Sequence, residues 1–532
     1  MDSRAARLVE TATPDSAAGP SPRVRFGSIL FADQQAREEE VPQPDYFVDL
    51  SLDQIIAGAI EGRDHYRLAT FFHRPLSSLE DVGFRQAVVR DLQREEQHAA
   101  VSAFAAAMEQ MRDKLAQADK HRHHLQKQAS LIDAACAYCD GLVQFETDLN
   151  AHPPQSQGMN LWRTYLKAYL AAEPFQTMRA RAHDVLDALA GVRFTIMIRD
   201  LHVRIDPFDG QADYGAMIAE SYARFAQGGE GAFSFHAEGG AELNYIEGRI
   251  LDEVARAFPD PFGALKSFVT DYGLHFYDDL VASFDREIQF YMAYLDWIAP
   301  LCEGGLAFCL PEVIEAKDVH ADDCFDLSLA RKLIGSSETV VPNSFRLEGR
   351  ERIFIVSGPN QGGKTTFARQ FGQLHHLACL GLPVPGRSAR LHLFDRIFTH
   401  FERREIAASP NGKLQDELVR MHAILDAARP ESIIIMNELF ASTTFRDARM
   451  LSEKVTARLV ELDLLCVWVS FIDGLSELSD TMVSMVSGVD PEDPTRRTYR
   501  VERREADGLA YARAIARKYG LTRQQIEERL KS

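Results

Sequence analysis

A glycine-rich run between an apolar strand and a helix constrains this chain more than any other feature. Ile353-Phe354-Ile355-Val356-Ser357 reads as a buried strand. It leads into Gly358-Pro359-Asn360-Gln361-Gly362-Gly363-Lys364-Thr365-Thr366, and then into the helix-like stretch Phe367–Phe371. The spacing is G-x-x-x-x-G-K-T, the pattern of a phosphate-binding loop in the strand–loop–helix setting it requires. Glycines let backbone N–H groups approach phosphate oxygens, and the helix N-terminus adds partial positive charge. Residues 358–366 are therefore the expected nucleotide-binding residues. Lys364 is placed to reach the β- and γ-phosphates, and the Thr365 hydroxyl to ligate Mg²⁺.

A site of this kind needs a carboxylate at the end of a neighbouring strand. Ser432-Ile433-Ile434-Ile435-Met436-Asn437-Glu438 supplies one, 74 residues after Lys364. Glu438 is the expected catalytic base. The position before it, where an acid would support Mg²⁺ through water, is Asn437. An amide keeps an acceptor oxygen but loses the charge, so weaker Mg²⁺ binding or slower hydrolysis is expected.

The rest of the chain differs in texture. Of 59 Lys+Arg and 78 Asp+Glu, residues 341–532 hold 28 and 25, a net of +3, and residues 1–340 hold 31 and 53, a net of −22. An overall charge of −19 argues against a protein that coats nucleic acid or anionic membrane indiscriminately. Residues 1–44 read as a mobile tail and linker, and 45–325 as a mostly helical domain. Ser51 is the expected N-cap of a helix with Leu52, Ile55, Ile56 and Ile60 on one face. A second helix begins near Ser78, with Val82, Gln86 and Val89 repeating. Residues 94–150 read as a long helix pair, and 243–301 as two or three helices broken at Asp260-Pro261 and Gly273. Residues 192–206 read as a β hairpin and 207–240 as loop. Residues 326–532 alternate short apolar runs (352–357, 432–436, 464–472) with helical stretches, which implies a largely parallel sheet. The expected fold is thus multidomain: an elongated, mostly α-helical domain with a small β insertion, then an α/β P-loop domain.

Cys136 and Cys139 have CxxC spacing but no second pair nearby, and are expected to be two buried thiols on a helix. His121, His123 and His124 cluster at a spacing that would permit a metal, but the expectation is a solvated helix face. No signal peptide and no membrane span are expected, which with seven cysteines implies a reducing, cytoplasmic setting.

Taken together these residues resemble the MutS family of DNA mismatch-repair ATPases. Val341-Pro342-Asn343 precedes the loop as in that family. The Pro359-Asn360 pair inside the loop is more diagnostic than the general pattern. Ala389-Arg390-Leu391, Asp395–Thr399, Met436-Asn437-Glu438 and Ser442-Thr443-Thr444 follow in the family's order. Upstream, Leu68, Phe72, Arg74-Pro75-Leu76, Leu79 and Arg85-Gln86 resemble the start of its helical core, and the helices around 243–301 resemble its lever arms. The last 35 residues resemble its closing helix-turn-helix dimerisation segment. The resemblance implies an ABC-type ATPase that uses ATP and Mg²⁺, and a homodimer gripping DNA.

Several departures stand beside the likeness. With the core beginning near residue 45, the expectation is a short form without the family's mismatch-sensing domain and without a nuclease-like extension. The family's switch His corresponds to Phe471. The segment that in ABC-type dimers reaches the partner's nucleotide corresponds to 409–417, with Ser409, Asn411 and Gly412 as trans candidates and Glu417 loosely kept. The hairpin carries the candidate DNA contacts Arg193, Arg199 and Arg204, helped by His202, Arg179 and Arg181. The expectation is a MutS-like, nucleotide-gated dimeric clamp on DNA, nucleoid-associated if DNA is its ligand. The alternatives are a nucleotide-switched clamp on a protein partner and an ATP-binding dimer of low turnover.

Overall fold

The computed structural model describes residues 26–35, 40–199, 202–210, 243–402, 412–472, 474–490, 496–505 and 526. The tail (1–22), most of the loop 207–240, Ser409, Asn411 and nearly all of the closing segment lie outside the described residues. The chain forms two compact units. One comprises residues 94–154 and 159–282 with the segment before Gly27. The other comprises 27–93, 155–158 and 283 onward. The change of texture at residue 326 is thus not where the packing divides, because residues 27–93 and 283–325 pack with the α/β part.

The first unit is built on the helices Glu95–Lys120 and His124–Ala151. Val101, Phe104, Met108 and Met111 recur at helical spacing and are buried, and Phe104 stacks on Phe145 at 4.7 Å. Gly141 permits this approach, since a Cβ there would lie 2.5 Å from the Ala107 methyl. Cys136 and Cys139 face inward as free thiols, and burial pushes both up to about 12. The hairpin forms as expected from β1 (Phe194–Arg199) and β2 (His202–Pro207), paired antiparallel. The helix Tyr245–Ala257 opens on a full capping box between Asn244 and Glu247. The helix Pro259–Tyr272 begins with proline in its first turn and ends at Gly273, whose φ is +51°. The expectation of an all-solvated histidine face needs correction. His124 is exposed, but His123 is largely buried and its Nε2 lies 3.2 Å from Asp252 Oδ1.

In the second unit the helix Leu52–Ala59 buries Leu52, Ile55 and Ile56 as expected. Ser51 does not cap it: its backbone is left-handed (φ 55°) and its side chain makes no cap bond. Ser78 does cap Leu79–Leu92, accepting from the Asp81 N–H. Strands β3 (Phe308–Cys309), β4 (Glu312–Ile314), β5 (Val319–Cys324) and β6 (Asn343–Leu347) precede β7 (Ile353–Ser357). After it come β8 (Val384–Pro385), β9 (Ser388–His392), β10 (Ile397–His400), β11 (Ile433–Asn437), β12 (Leu465–Val469), β13 (Met482–Val489) and β14 (Arg497–Arg503). The main sheet has the order β10-β11-β12-β7-β13-β14. Its first five strands are parallel and β14 is antiparallel. β7, β11 and β12 are almost wholly buried, as their β-branched runs require.

A buried charged group anchors the segment that precedes this unit's helices. Ser28 Oγ donates to both Glu287 carboxylate oxygens (3.0 and 2.9 Å), and the Ile29 N–H adds a third bond at 2.8 Å. Burial raises Glu287 to about 7, against those bonds and the charges of Arg85 and Arg286. A carboxyl raised in the folded state stabilises fully below its ordinary 4.5 and loses that stabilisation as pH rises through 7. His375 and His376, held down to about 3 by burial, act the other way, losing stabilisation as pH falls from 6.5. The wild-type curve therefore mixes both effects, and a difference isolates one. Between pH 4.5 and pH 8, wild type is expected to lose about 2–3 kcal/mol relative to Glu287→Gln, measured by urea unfolding.

Candidate nucleotide-type site on the α/β unit

Parallel strands bring their carboxyl ends to one edge of the sheet, and the loop after each strand gathers there. β7 delivers Gly358–Gly363 to that edge, and the helix Lys364–Cys379 carries the chain away. Gly358 and Gly363 have φ of +119° and +95°, a backbone region open to glycine at little cost. Gly362 is required for a different reason: a Cβ there would lie 2.2 Å from Ser487 Oγ. The Ser487 hydroxyl on β13 donates to the Gly362 carbonyl and pins the loop's far side. Gln361 sits at φ 60° between them, so the turn is tight without glycine at every position.

Lys364 folds back under the loop. Its Nζ donates to the carbonyls of Gly358 (2.9 Å) and Pro359 (3.1 Å) and lies 3.4 Å from Asn360 Oδ1. Burial lowers its pKa, Glu438 raises it, and Arg497 lowers it further. The ammonium is thus held ready at the centre of the loop. An anionic group seated there would add charged acceptors to a cation whose hydrogen-bond acceptors among the described residues are all neutral.

Glu438 follows β11, and its N–H donates to the Val469 carbonyl at the end of β12 (2.9 Å). The sheet corrects one expectation, because β11 is not the immediate neighbour of β7: β12 lies between them. The carboxylate still reaches the loop because all three strands end on the same edge. Glu438 and Phe440 hold φ of 54° and 62°, which costs a non-glycine residue roughly 1–2 kcal/mol. Thr365 Oγ1 donates to Asn437 Oδ1 at 3.1 Å. The two expected metal residues are therefore adjacent, and they offer a hydroxyl and an amide oxygen with no charge between them.

Asn360–Thr366 and Glu438 line one cavity of about 1140 Å³, with Asp490, Arg496, Arg497 and Tyr499 on its β13–β14 side. Sequence reasoning missed these last groups. Arg497 Nε donates to the Asn360 carbonyl (3.1 Å). Asn343 joins β6 to β14, donating to the Tyr499 carbonyl (3.2 Å) and accepting from the Val501 N–H (2.7 Å). The Pro342-Asn343 pair carried a signal, but periodicity could not assign its role. Strand β14 is too polar to announce itself.

Other expected residues lie apart. Gly412 precedes the helix Lys413–Ala427 and does not line the cavity. Glu417 on that helix accepts from Ser442 Oγ (3.3 Å), and burial raises its pKa. Phe471 follows β12 and is 46% exposed. On the hairpin, the register puts positions 199 and 204 on one face of the ladder, with Met197 opposite Arg204. The Arg199 side chain lies outside the described residues. Arg193 is exposed, whereas Arg204 is paired with Asp206 at 2.9 Å. The helper Arg181 is bound to Asp271 (2.7 Å), and Arg179 lies 3.6 Å from Asp140.

The fold and site define an α/β protein whose polar functional groups gather at the carboxyl edge of a largely parallel sheet. Residues 354–517 match the family model MutS domain V. A segment of 187 residues is 30% identical to the DNA mismatch repair protein MutS of Zymomonas mobilis subsp. mobilis, covering 34% of this chain and 22% of that protein. The α/β region is thus similar to MutS domain V over residues 354–517. The matched segment spans about a fifth of the length of the curated relative. Among the described residues, no helix is long and apolar enough to cross a membrane.

Proposed function

We propose that this chain is a MutS-like ATPase, acting as a nucleotide-gated homodimeric clamp on DNA. One observation carries the reading: a glycine-rich loop, its lysine, Thr365 and Glu438 line a single cavity on one sheet edge. The loop amides and Lys364 hold the phosphates of ATP, and Glu438 takes the proton of the attacking water. Thr365 and Asn437 are the residues that would hold Mg²⁺, which when bound neutralises phosphate charge. Two uncharged donors make that a weak site, so low turnover is an expected property. In this reading, residues 45–325 are the MutS-like core and lever domain, 326–532 the ABC-type ATPase domain, and the closing helix-turn-helix the dimer contact. Ser409, Asn411 and Gly412 would reach the partner's nucleotide.

The DNA half rests on Arg193, Arg199 and Arg204 of the hairpin, with the face shared by positions 199 and 204 as its support. A second reading, a clamp on a protein partner, is favoured by the same hairpin. Arg204 is already paired with Asp206, while Phe194, Ile196, Met197 and Val203 are all at least 40% exposed. The test is ATP turnover with and without duplex, branched and single-stranded DNA, alongside binding at rising salt. The clamp on DNA is expected to show stimulated turnover and salt-sensitive binding. Turnover indifferent to every DNA, with no salt-sensitive binding, would leave the protein-partner reading.

A further inference from the structure

We propose that His123, His124 and Asp252 form a binding site for a divalent borderline metal ion such as Zn²⁺. The three residues come from two distant stretches of sequence. His123 and His124 lie at the turn where the helix Glu95–Lys120 gives way to the helix His124–Ala151. Asp252 lies on the helix Tyr245–Ala257. One donor atom from each can be chosen so that all three are within 4.8 Å of one another.

The pocket for the imidazole is built into the second helix. Gly248 is one turn before Asp252, and a Cβ at 248 would come within 3.0 Å of His123 Cδ2. Glycine at that position lets the ring lie against the helix and face the carboxylate. His123 Nε2 is already 3.2 Å from Asp252 Oδ1. A tetrahedral ion with bonds of about 2.0–2.1 Å to its ligands places two donors about 3.3 Å apart, so this pair needs no rearrangement. The His124 ring packs near His123, with centroids 4.9 Å apart, and is exposed, so a side-chain rotation can bring its nitrogen to the same point.

A simple ion pair accounts for less of the geometry. It leaves unexplained why a second imidazole stands beside the first. Two imidazoles and one carboxylate favour Zn²⁺, Co²⁺ or Ni²⁺ over Mg²⁺ or Ca²⁺, which take all-oxygen shells. Three protein donors leave the fourth position for water. Bound metal would tie the turn at residues 121–123 to the helix Tyr245–Ala257. The inference is independent of the nucleotide site.

The experiment titrates Zn²⁺ into the full chain by calorimetry, with Mg²⁺ in excess to occupy oxygen-donor sites, and repeats it with Co²⁺ by absorption. One ion per chain is expected, with a Co²⁺ spectrum lacking a thiolate charge-transfer band. His124→Ala removes an exposed ligand, and Asp252→Asn removes the anionic one. Each is expected to weaken binding roughly tenfold or more. Gly248→Ala removes no ligand but crowds the His123 ring, and is expected to weaken binding while far-UV circular dichroism stays unchanged. Absence of saturable binding, affinity unchanged in His124→Ala and Asp252→Asn, or a cobalt–thiolate band would each overturn the proposal.

Discussion

Lys364→Ala is expected to abolish nucleotide binding. The ammonium sits at the centre of the loop, bonded to the Gly358 and Pro359 carbonyls. Those bonds hold it where phosphate oxygens would arrive. Removing it leaves a phosphate without its nearest cation and leaves the loop carbonyls without their donor. A hydrogen bond to a charged group contributes about 1.5–3 kcal/mol. Losing a charge partner in a partly enclosed site adds to that, so affinity is expected to fall by roughly 100-fold or more. Titration of a fluorescent ATP analogue measures it. The lysine is nearly buried, so melting temperature is measured alongside. An unchanged melting temperature with lost binding assigns the effect to the ligand. Retained binding would remove Lys364 from the proposed site.

How much of this was legible beforehand depended on whether a segment's chemistry was local. β7 and β11 are uninterrupted apolar runs, and strands buried on both faces look like that in sequence. The loop was legible because glycine, lysine and threonine at fixed spacing have few other uses. The hairpin was legible because two β-branched runs flank a short polar turn. What failed to show depended on distant partners. Strand β14 exposes most of its side chains, with only Val501 fully inside, so its pattern is that of a polar linker. Its place is set by Asn343, more than 150 residues earlier, and by pairing with β13. Arg497 therefore reaches the loop from a segment that nothing local marks. The misread N-cap at Ser51 has a different, local origin: its left-handed backbone follows from the turn after the helix Tyr46–Asp49, not from the helix it precedes. His123 looked like part of a solvated face because Asp252 and Gly248, which enclose it, lie over 120 residues away.

Glu438→Gln is expected to reduce ATP turnover by 100-fold or more, on the order a general base contributes, while leaving nucleotide binding intact. The argument rests on where the backbone puts this side chain. Its left-handed φ of 54° and its N–H bond to the Val469 carbonyl fix the residue beyond the strand end, so that it lines the loop cavity. A conformation that costs roughly 1–2 kcal/mol persists only where the surroundings hold it. Glutamine keeps the shape and the acceptor oxygen but cannot take a proton. The variant should therefore bind ATP as wild type does and hold it, accumulating the closed dimer by sedimentation or light scattering. Asn437 sharpens the measurement. With an amide where an acid would add charge, wild-type turnover is already expected to be slow, so single-turnover hydrolysis is the assay that resolves the difference. Equal rates in wild type and variant, both above the uncatalysed rate, would mean that another group takes the proton. The proposed catalytic role of Glu438 would then fall, although the loop and Lys364 would still bind the phosphates.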